Sequence, residues 1–179
     1  MPTPFNASAH AHDEPSTASP ELVIRFAQPG DVPLILHFIC GLAEYENLSQ
    51  YVVATEELLR DSLFGERPGA ECLLAFEEDV AVGFALFFPS FSTFRGRRGM
   101  YLEDLFVIPE ARGRGIGKAL FRHLARIAVQ RGDCRLDWAV LNWNKPAIGF
   151  YQRLGAVALD EWTVNRLQGD ALERLARED

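Results

Sequence analysis

Cysteine and histidine are scarce in this chain, and basic residues are outnumbered by acidic ones. Each shortage excludes a class of protein. The three cysteines, Cys40, Cys72 and Cys134, show no Cys-x-x-Cys spacing. An odd number cannot all pair within one chain, so they read as reduced core residues. Of the four histidines, His10 and His12 fall in the leading segment. His37 and His123 lack the spacing of a His-Glu-x-x-His helix, so no metal is expected. No apolar stretch approaches the roughly 20 residues of a membrane-spanning helix, and the beginning of the chain lacks the basic, apolar, small-residue order of a secretory signal. A cytoplasmic protein with no membrane partner is the expectation. Eighteen Lys and Arg against 25 Asp and Glu give a net charge of -7, the wrong sign for gripping phosphodiester backbones, so no nucleic acid partner is expected either. Small cationic molecules suit this charge better, although solubility alone also explains an acidic surface.

What is present suits one globular domain. The chain has 179 residues, 48% of them apolar and 24% charged, enough for a sizeable core. Residues 1–20 are rich in Pro, Ser, Ala and His and poor in large aliphatics, so they read as a disordered leader. Having no Arg or Lys but carrying Asp13 and Glu14, this segment does not read as a transit peptide. Residues 21–179 are expected to form a single domain.

Within that domain, residues 22–26 predict a strand, and Asp31 a cap on a helix whose Val32, Ile35, Leu36, Ile39, Leu42 and Ala43 share one face. Thr55, followed by Glu56 and Glu57, predicts a second helix ending near Phe64. Residues 72–76 and 80–88 read as a hairpin, residues 91–99 as a Gly- and Arg-rich loop, and residues 100–108 as a third arm of the same sheet. A helix over 116–131, a strand over 135–141 and a short helix over 145–154 closed by Gly155 follow. Residues 156–159 and 162–167 carry strand-like patterns before a terminal helical turn. The fold class is therefore mixed α/β.

One stretch carries chemistry. Val107-Ile108-Pro109-Glu110-Ala111-Arg112-Gly113-Arg114-Gly115-Ile116-Gly117-Lys118 runs from a strand through alternate glycines into a helix. Such a turn can aim backbone N–H groups at one point, where the helix start adds roughly half a positive charge, and so suits a phosphate; a tight turn needing small residues is the other explanation. The dinucleotide fingerprint fails because the third glycine comes one place early, and the nucleoside-triphosphate loop fails because Ala119 stands where a hydroxyl is required. A second feature lies upstream. Glu103 and Asp104 interrupt an apolar strand, and adjacent positions point to opposite faces, so burying both needs partners or water unless a bulge or strand end exposes them.

Arg-Gly-x-Gly-Ile-Gly after a strand resembles the pyrophosphate loop of the GNAT superfamily of acetyltransferases. Leu42-Ala43-Glu44-Tyr45-Glu46, Tyr101-Leu102-Glu103-Asp104-Leu105-Phe106-Val107, Ala139-Val140-Leu141-Asn142-Trp143-Asn144 and Phe150-Tyr151-Gln152-Arg153-Leu154-Gly155-Ala156 resemble four further signatures of its diamine (spermidine/spermine-type) N-acetyltransferase family and the thialysine-acetylating branch. The resemblance implies the GNAT acyl-CoA N-acyltransferase fold: a mixed, mostly antiparallel sheet, flanked by helices and splayed at the cofactor cleft. It implies acetyl-CoA as cofactor, with Leu105, Phe106 and Val107 offering backbone groups to the pantetheine. Arg112, Gly113, Arg114, Gly115, Ile116, Gly117 and Lys118 would hold the pyrophosphate, and Asn144, Lys145, Pro146 and Ala147 would complete the cofactor side. Tyr151 matches the family's general acid and would touch the cofactor. Ordinary phenols, with pKa about 10 against roughly 8.5 for a thiol, can protonate a leaving thiolate; the bland alternative is a ring packing on the sheet. Glu103 would bind the acceptor amine and receive its proton through water, while Tyr45, Glu46 and Asp104 line the acceptor side.

The activity implied is transfer of an acetyl group from acetyl-CoA directly to a small primary amine, a diamine, polyamine or thialysine/lysine-like amino acid, in a ternary complex without an acyl-enzyme. Cys134 is then no nucleophile, and a homodimer is implied. Arg95, Arg97 and Arg98 near the acceptor mouth would repel long polycations or attract a substrate carboxylate, unless they simply face water. A protein or peptide N-acetyltransferase, a non-catalytic acyl-CoA sensor and a nucleotide-binding switch are the competing possibilities.

Overall fold

The computed structural model describes residues 21–178. The leader expected over residues 1–20 lies outside them. Internal contacts divide the chain into two compact units, one ending at Ala139 and the other beginning at Val140.

The first unit is a five-stranded sheet with strands in chain order: β1 (Leu22–Phe26), β2 (Glu71–Glu77), β3 (Val80–Ser92), β4 (Arg97–Val107) and β5 (Leu136–Trp138). The first four pair antiparallel and β5 joins β4 in parallel. Helix α1 (Val32–Tyr45) and helix α2 (Glu56–Phe64) separate β1 from β2, and helix α3 (Ile116–Gln130) crosses from β4 to β5. The sheet is mixed, as the family resemblance implies, because short turns favour antiparallel neighbours whereas a helical crossover returns the chain in parallel.

Residues buried from α1, Ile35 and Phe38, pack with Leu74, Phe84 and Phe106, and the Phe38 and Phe84 rings stack at 5.5 Å. Phe38, outside the predicted stripe of α1, is nearly inaccessible and sits at the centre of this cluster. The alternation of strands puts their other face toward α3, whose Ile116, Leu120, Leu124 and Ile127 are buried. Phe121 meets the Trp138 ring edge-on at 4.9 Å, tying α3 to β5. Thr55 caps α2 as expected, accepting from the Leu58 amide at 3.2 Å.

Several expectations are corrected. Asp31 occupies the cap position of α1 but, with φ −87° and ψ −1°, is already helical, and its side chain caps nothing in α1. Its carboxylate instead accepts from the Arg25 guanidinium at 2.6 and 3.0 Å and from the Gln28 amide at 2.7 Å. The Arg25 hydrogen bond holds that carboxyl below the usual range, against the opposing effect of burial. The loop expected over residues 91–99 shortens to a turn at residues 93–96, because β3 and β4 keep pairing from Ser90 with Gly99 to Ser92 with Arg97. Their arginines have local work. Arg97 donates to the Gly132 carbonyl at 3.0 Å, Arg98 lies 3.6 Å from the Asp133 carboxylate, and the Cys134 amide donates to the Arg98 carbonyl at 2.8 Å. The link between α3 and β5 therefore straps the hairpin, which removes two of the three arginines proposed to screen the substrate. The strand expected over 135–141 shortens to Leu136–Trp138. Cys40 is exposed rather than in the core, whereas Cys72 is buried, which pushes its thiol up to about 12. No helix among the described residues is long and apolar enough to cross a membrane.

The second unit holds helix α4 (Lys145–Arg153) and helix α5 (Asp170–Leu175). Residues 156–159 and 162–167 form no strand. Their alternation is strand-like, but no strand of this unit pairs with them, and Val157, Leu159, Trp162 and Val164 remain exposed.

Candidate active site

After β4 the chain makes a helical turn over Pro109–Ala111 and then passes Gly113 and Gly115, with φ of 78° and 85°. A Cβ at either glycine would meet nothing within 4 Å, so backbone conformation rather than space requires glycine here. Gly115 is the cap of α3, and the first helical hydrogen bond runs from the Ala119 amide to the Gly115 carbonyl at 2.9 Å. Amides before Ala119 at this helix start thus lie outside the helix's own ladder, at its positive end. Gly113, Arg114, Gly115 and Lys118 are exposed, whereas Ile116 is buried and anchors the turn.

The arginine side chains of the turn are occupied. Arg112 donates to the Val107 carbonyl at 2.9 Å and lays its guanidinium 4.6 Å from the Tyr45 ring centre and 5.4 Å from that of Phe106. Arg114 pairs with Glu77 at 2.9 Å and reaches the Glu110 carbonyl. Both brace the turn against the sheet and α1. What remains to face a ligand is backbone N–H together with Lys118, a donor set that fits a diphosphate.

Beside the turn, β4 pairs with β5 only from Met100 to Leu102. Beyond that, residues 104–107, including Leu105, Phe106 and Val107, have strand partners only on the β3 side. β4 and β5 part there, which leaves that edge of β4 without a strand partner. The Phe106 ring itself belongs to the core, so only its backbone could serve a ligand.

The adjacent acids are separated by a bulge. Leu86 pairs with Asp104 and Phe87 with Leu102, which leaves Glu103 as the extra residue of β4. Glu103 is exposed and Asp104 half-buried. Asp104 enters a groove of about 330 Å³ together with Glu46. Burial pushes the Asp104 carboxyl up to about 6, with the negative charges of Glu103 and Glu46 acting in the same direction. Burial raises Glu46 as well. Two carboxylates that share a partly desolvated site favour a cation that neutralises both. The groove's other walls are apolar: Ile39 and Leu42 of α1, then Leu48, Tyr51 and Val53. The structure thus joins Glu46 to Asp104, while Tyr45 is not among the lining residues and lies beneath Arg112. The wall at residues 48–54 is absent from the sequence reading, although its signal was available as an apolar cluster in a link between helices.

In the second unit, Asn144 caps α4 by accepting from the Ala147 amide at 3.2 Å, and Pro146 occupies the first turn, where a missing N–H costs little. Tyr151 packs against Phe150, ring centres 5.2 Å apart. Gly155, φ 89°, closes the helix by letting the Ala156 amide donate to the Tyr151 carbonyl at 3.1 Å and the Gly155 amide to Gln152 at 3.0 Å. This closure fixes the backbone that carries the phenol.

A mixed five-stranded sheet with these flanking helices is the architecture of the acetyltransferase (GNAT) family, whose sequence pattern matches residues 40–156; the chain belongs to that family. It is an acetyltransferase of GNAT type, and such enzymes generally use acetyl-CoA. Over 166 residues it is 42% identical to thialysine N-epsilon-acetyltransferase of Bos taurus, covering 87% of this chain and 97% of that protein. It is 33% identical over 197 residues to L-ornithine N5-acetyltransferase of Arabidopsis thaliana, covering 85% of this chain and 86% of that one. Among solved structures, an integron cassette protein from the mobile metagenome of V. cholerae matches with TM-score 0.75 and 31% identity over 88% of this chain and 98% of its own.

Proposed function

We propose that this enzyme transfers the acetyl group of acetyl-CoA directly to a primary amine of a small molecule, a diamine, polyamine or thialysine/lysine-like amino acid, within a ternary complex. The observation that carries this reading is the meeting of Glu46 and Asp104 in one otherwise apolar groove, with Asp104 raised to about 6. An alkylammonium, pKa near 10.4, is attracted by two carboxylates and must lose a proton before its nitrogen can attack. Asp104, less acidic than an ordinary carboxyl, is the better placed acceptor, and Glu103 on the exposed side of the bulge gives that proton a route toward water. Acetyl-CoA, when bound, supplies the activated carbonyl. Amides of Gly113, Arg114, Gly115, Ile116, Gly117 and Lys118 hold its diphosphate, while the open β4 edge at Leu105 and Val107 aligns its arm. Asn144, Lys145, Pro146 and Ala147 complete that side, and the Tyr151 hydroxyl donates a proton to the departing sulfur. The C–N bond would form as the C–S bond breaks, the second proton lost by the nitrogen would restore the Tyr151 hydroxyl, and no cysteine would be acylated.

Relatives bearing thialysine and ornithine acetyltransferase names support the small-amine reading. A homodimer is part of the proposal, supported by the exposed Val157, Leu159, Trp162 and Val164 on strand-like segments, and a cytoplasmic location is proposed with it. A thiol-release screen at fixed acetyl-CoA with putrescine, spermidine, lysine, thialysine and a lysine peptide tests it. Turnover on at least one free amine should exceed that on the peptide, with intersecting initial-rate plots. Faster peptide turnover would move the assignment to protein acetylation, and cofactor binding without any thiol release would leave only a sensor.

A further inference from the structure

A second cleft lies between β1 and α3, distinct from the groove at Asp104. It has a volume of about 180 Å³ and is lined by Leu22, Ile24, Ala119, Arg122, His123 and Arg126. In a chain of net charge -7, the described residues of this lining supply two guanidiniums and an imidazole and no carboxylate. Elsewhere among the described residues Arg25, Arg98, Arg114, Arg131, Arg135 and Arg177 have ion-pair partners, whereas neither Arg122 nor Arg126 takes part in one. The two are one helical turn apart, a like-charge spacing that destabilises a helix unless something neutralises it. Between them, His123 is half-buried, and burial followed by the Arg126 charge depresses its proton affinity. Core packing does not explain these cations, because the buried stripe of α3 is supplied by Ile116, Leu120, Leu124 and Ile127. Leu22 and Ile24 form an apolar wall, which strengthens the attraction of the arginines for an anion within the cleft.

We propose that this cleft is a phosphate-binding site separate from the acetyl-transfer machinery. Arginine forks on one helix flank suit bidentate hydrogen bonds to phosphate oxygens, and the neutral imidazole supplies a further N–H. The volume is below the roughly 300 Å³ at which drug-sized ligand sites begin, so it fits a single phosphate group, either free or at the end of a monoester. The proposal does not depend on which amine is acetylated.

Heteronuclear NMR of the nitrogen-labelled full chain tests it, because one spectrum reads the cleft and the glycine turn separately. Inorganic phosphate or phosphoserine should produce saturable shifts of the Arg122, His123 and Arg126 side-chain signals that chloride of equal ionic strength does not produce. Tighter binding of phosphoserine would identify an esterified ligand, and tighter binding of inorganic phosphate a free one. The exposed double variant Arg122→Gln with Arg126→Gln should bind about tenfold or more weakly at His123, with responses at residues 113–118 unchanged. No shift, an equal response to chloride or unaltered binding in the double variant would overturn the site.

Discussion

Replacing Asp104 by asparagine is expected to lower kcat/KM for amine acetylation by about 100-fold or more, a general-base magnitude, while making the protein more resistant to heat. The two effects have one cause. Burial, with the charges of Glu103 and Glu46, raises the Asp104 carboxyl from 3.8 to about 6. The folded protein therefore binds a proton there that the unfolded chain has already lost. The stabilising effect of that proton is complete below the unfolded value near 3.8 and disappears as pH rises through about 6. At pH 7 the folded enzyme holds an ionised, partly desolvated carboxylate at a cost on the order of 3 kcal/mol. Asparagine removes that cost together with the proton acceptor. Melting temperature should rise by several degrees at pH 7, with the gain shrinking toward pH 4. The wild-type kcat/KM profile should fall as pH drops through about 6, and the variant should lack this limb. Unchanged kcat/KM with greater stability would make Asp104 a buried liability without a role in transfer.

Changing Tyr151 to phenylalanine is expected to reduce kcat by about 10- to 1000-fold with little effect on cofactor affinity. Phenylalanine retains the ring that meets Phe150 at 5.2 Å, and the end of α4 is fastened by backbone bonds to Tyr151 and Gln152 that the substitution leaves intact. Loss of activity would therefore report the hydroxyl. Rapid-quench single turnovers, which isolate the chemical step from product release, provide the measurement. Equal single-turnover rates would remove Tyr151 from proton transfer to the leaving sulfur.

Local signals made much of the first unit legible. The stripe of α3, the cap at Thr55 and the passage from β4 through glycines into a helix depend on residues only a few positions apart. Long-range partners were harder to foresee. Arg97 and Arg98 read as part of a loop near the acceptor mouth, screening the substrate or facing water, because Gly132 and Asp133, which engage them, lie more than thirty positions away. The strand-like run near Val157 and Val164 has the correct alternation, but a strand also needs a neighbour, which alternation cannot supply. At the site, composition marked Glu103 and Asp104 as unusual, yet only the slip in register between β3 and β4 separates them into an exposed acid and one within the groove. The apolar wall around Tyr51 and Val53 was missed because an interhelical link was read as a connector.

A crystal structure with coenzyme A bound tests the central claim most directly. The diphosphate should accept hydrogen bonds from the amides of residues 113–118, with the sulfur within reach of the Tyr151 hydroxyl and the vacant β4 edge beside the pantetheine. Coenzyme A bound elsewhere, or seated on the turn with its sulfur remote from the phenol, would contradict the proposed transfer.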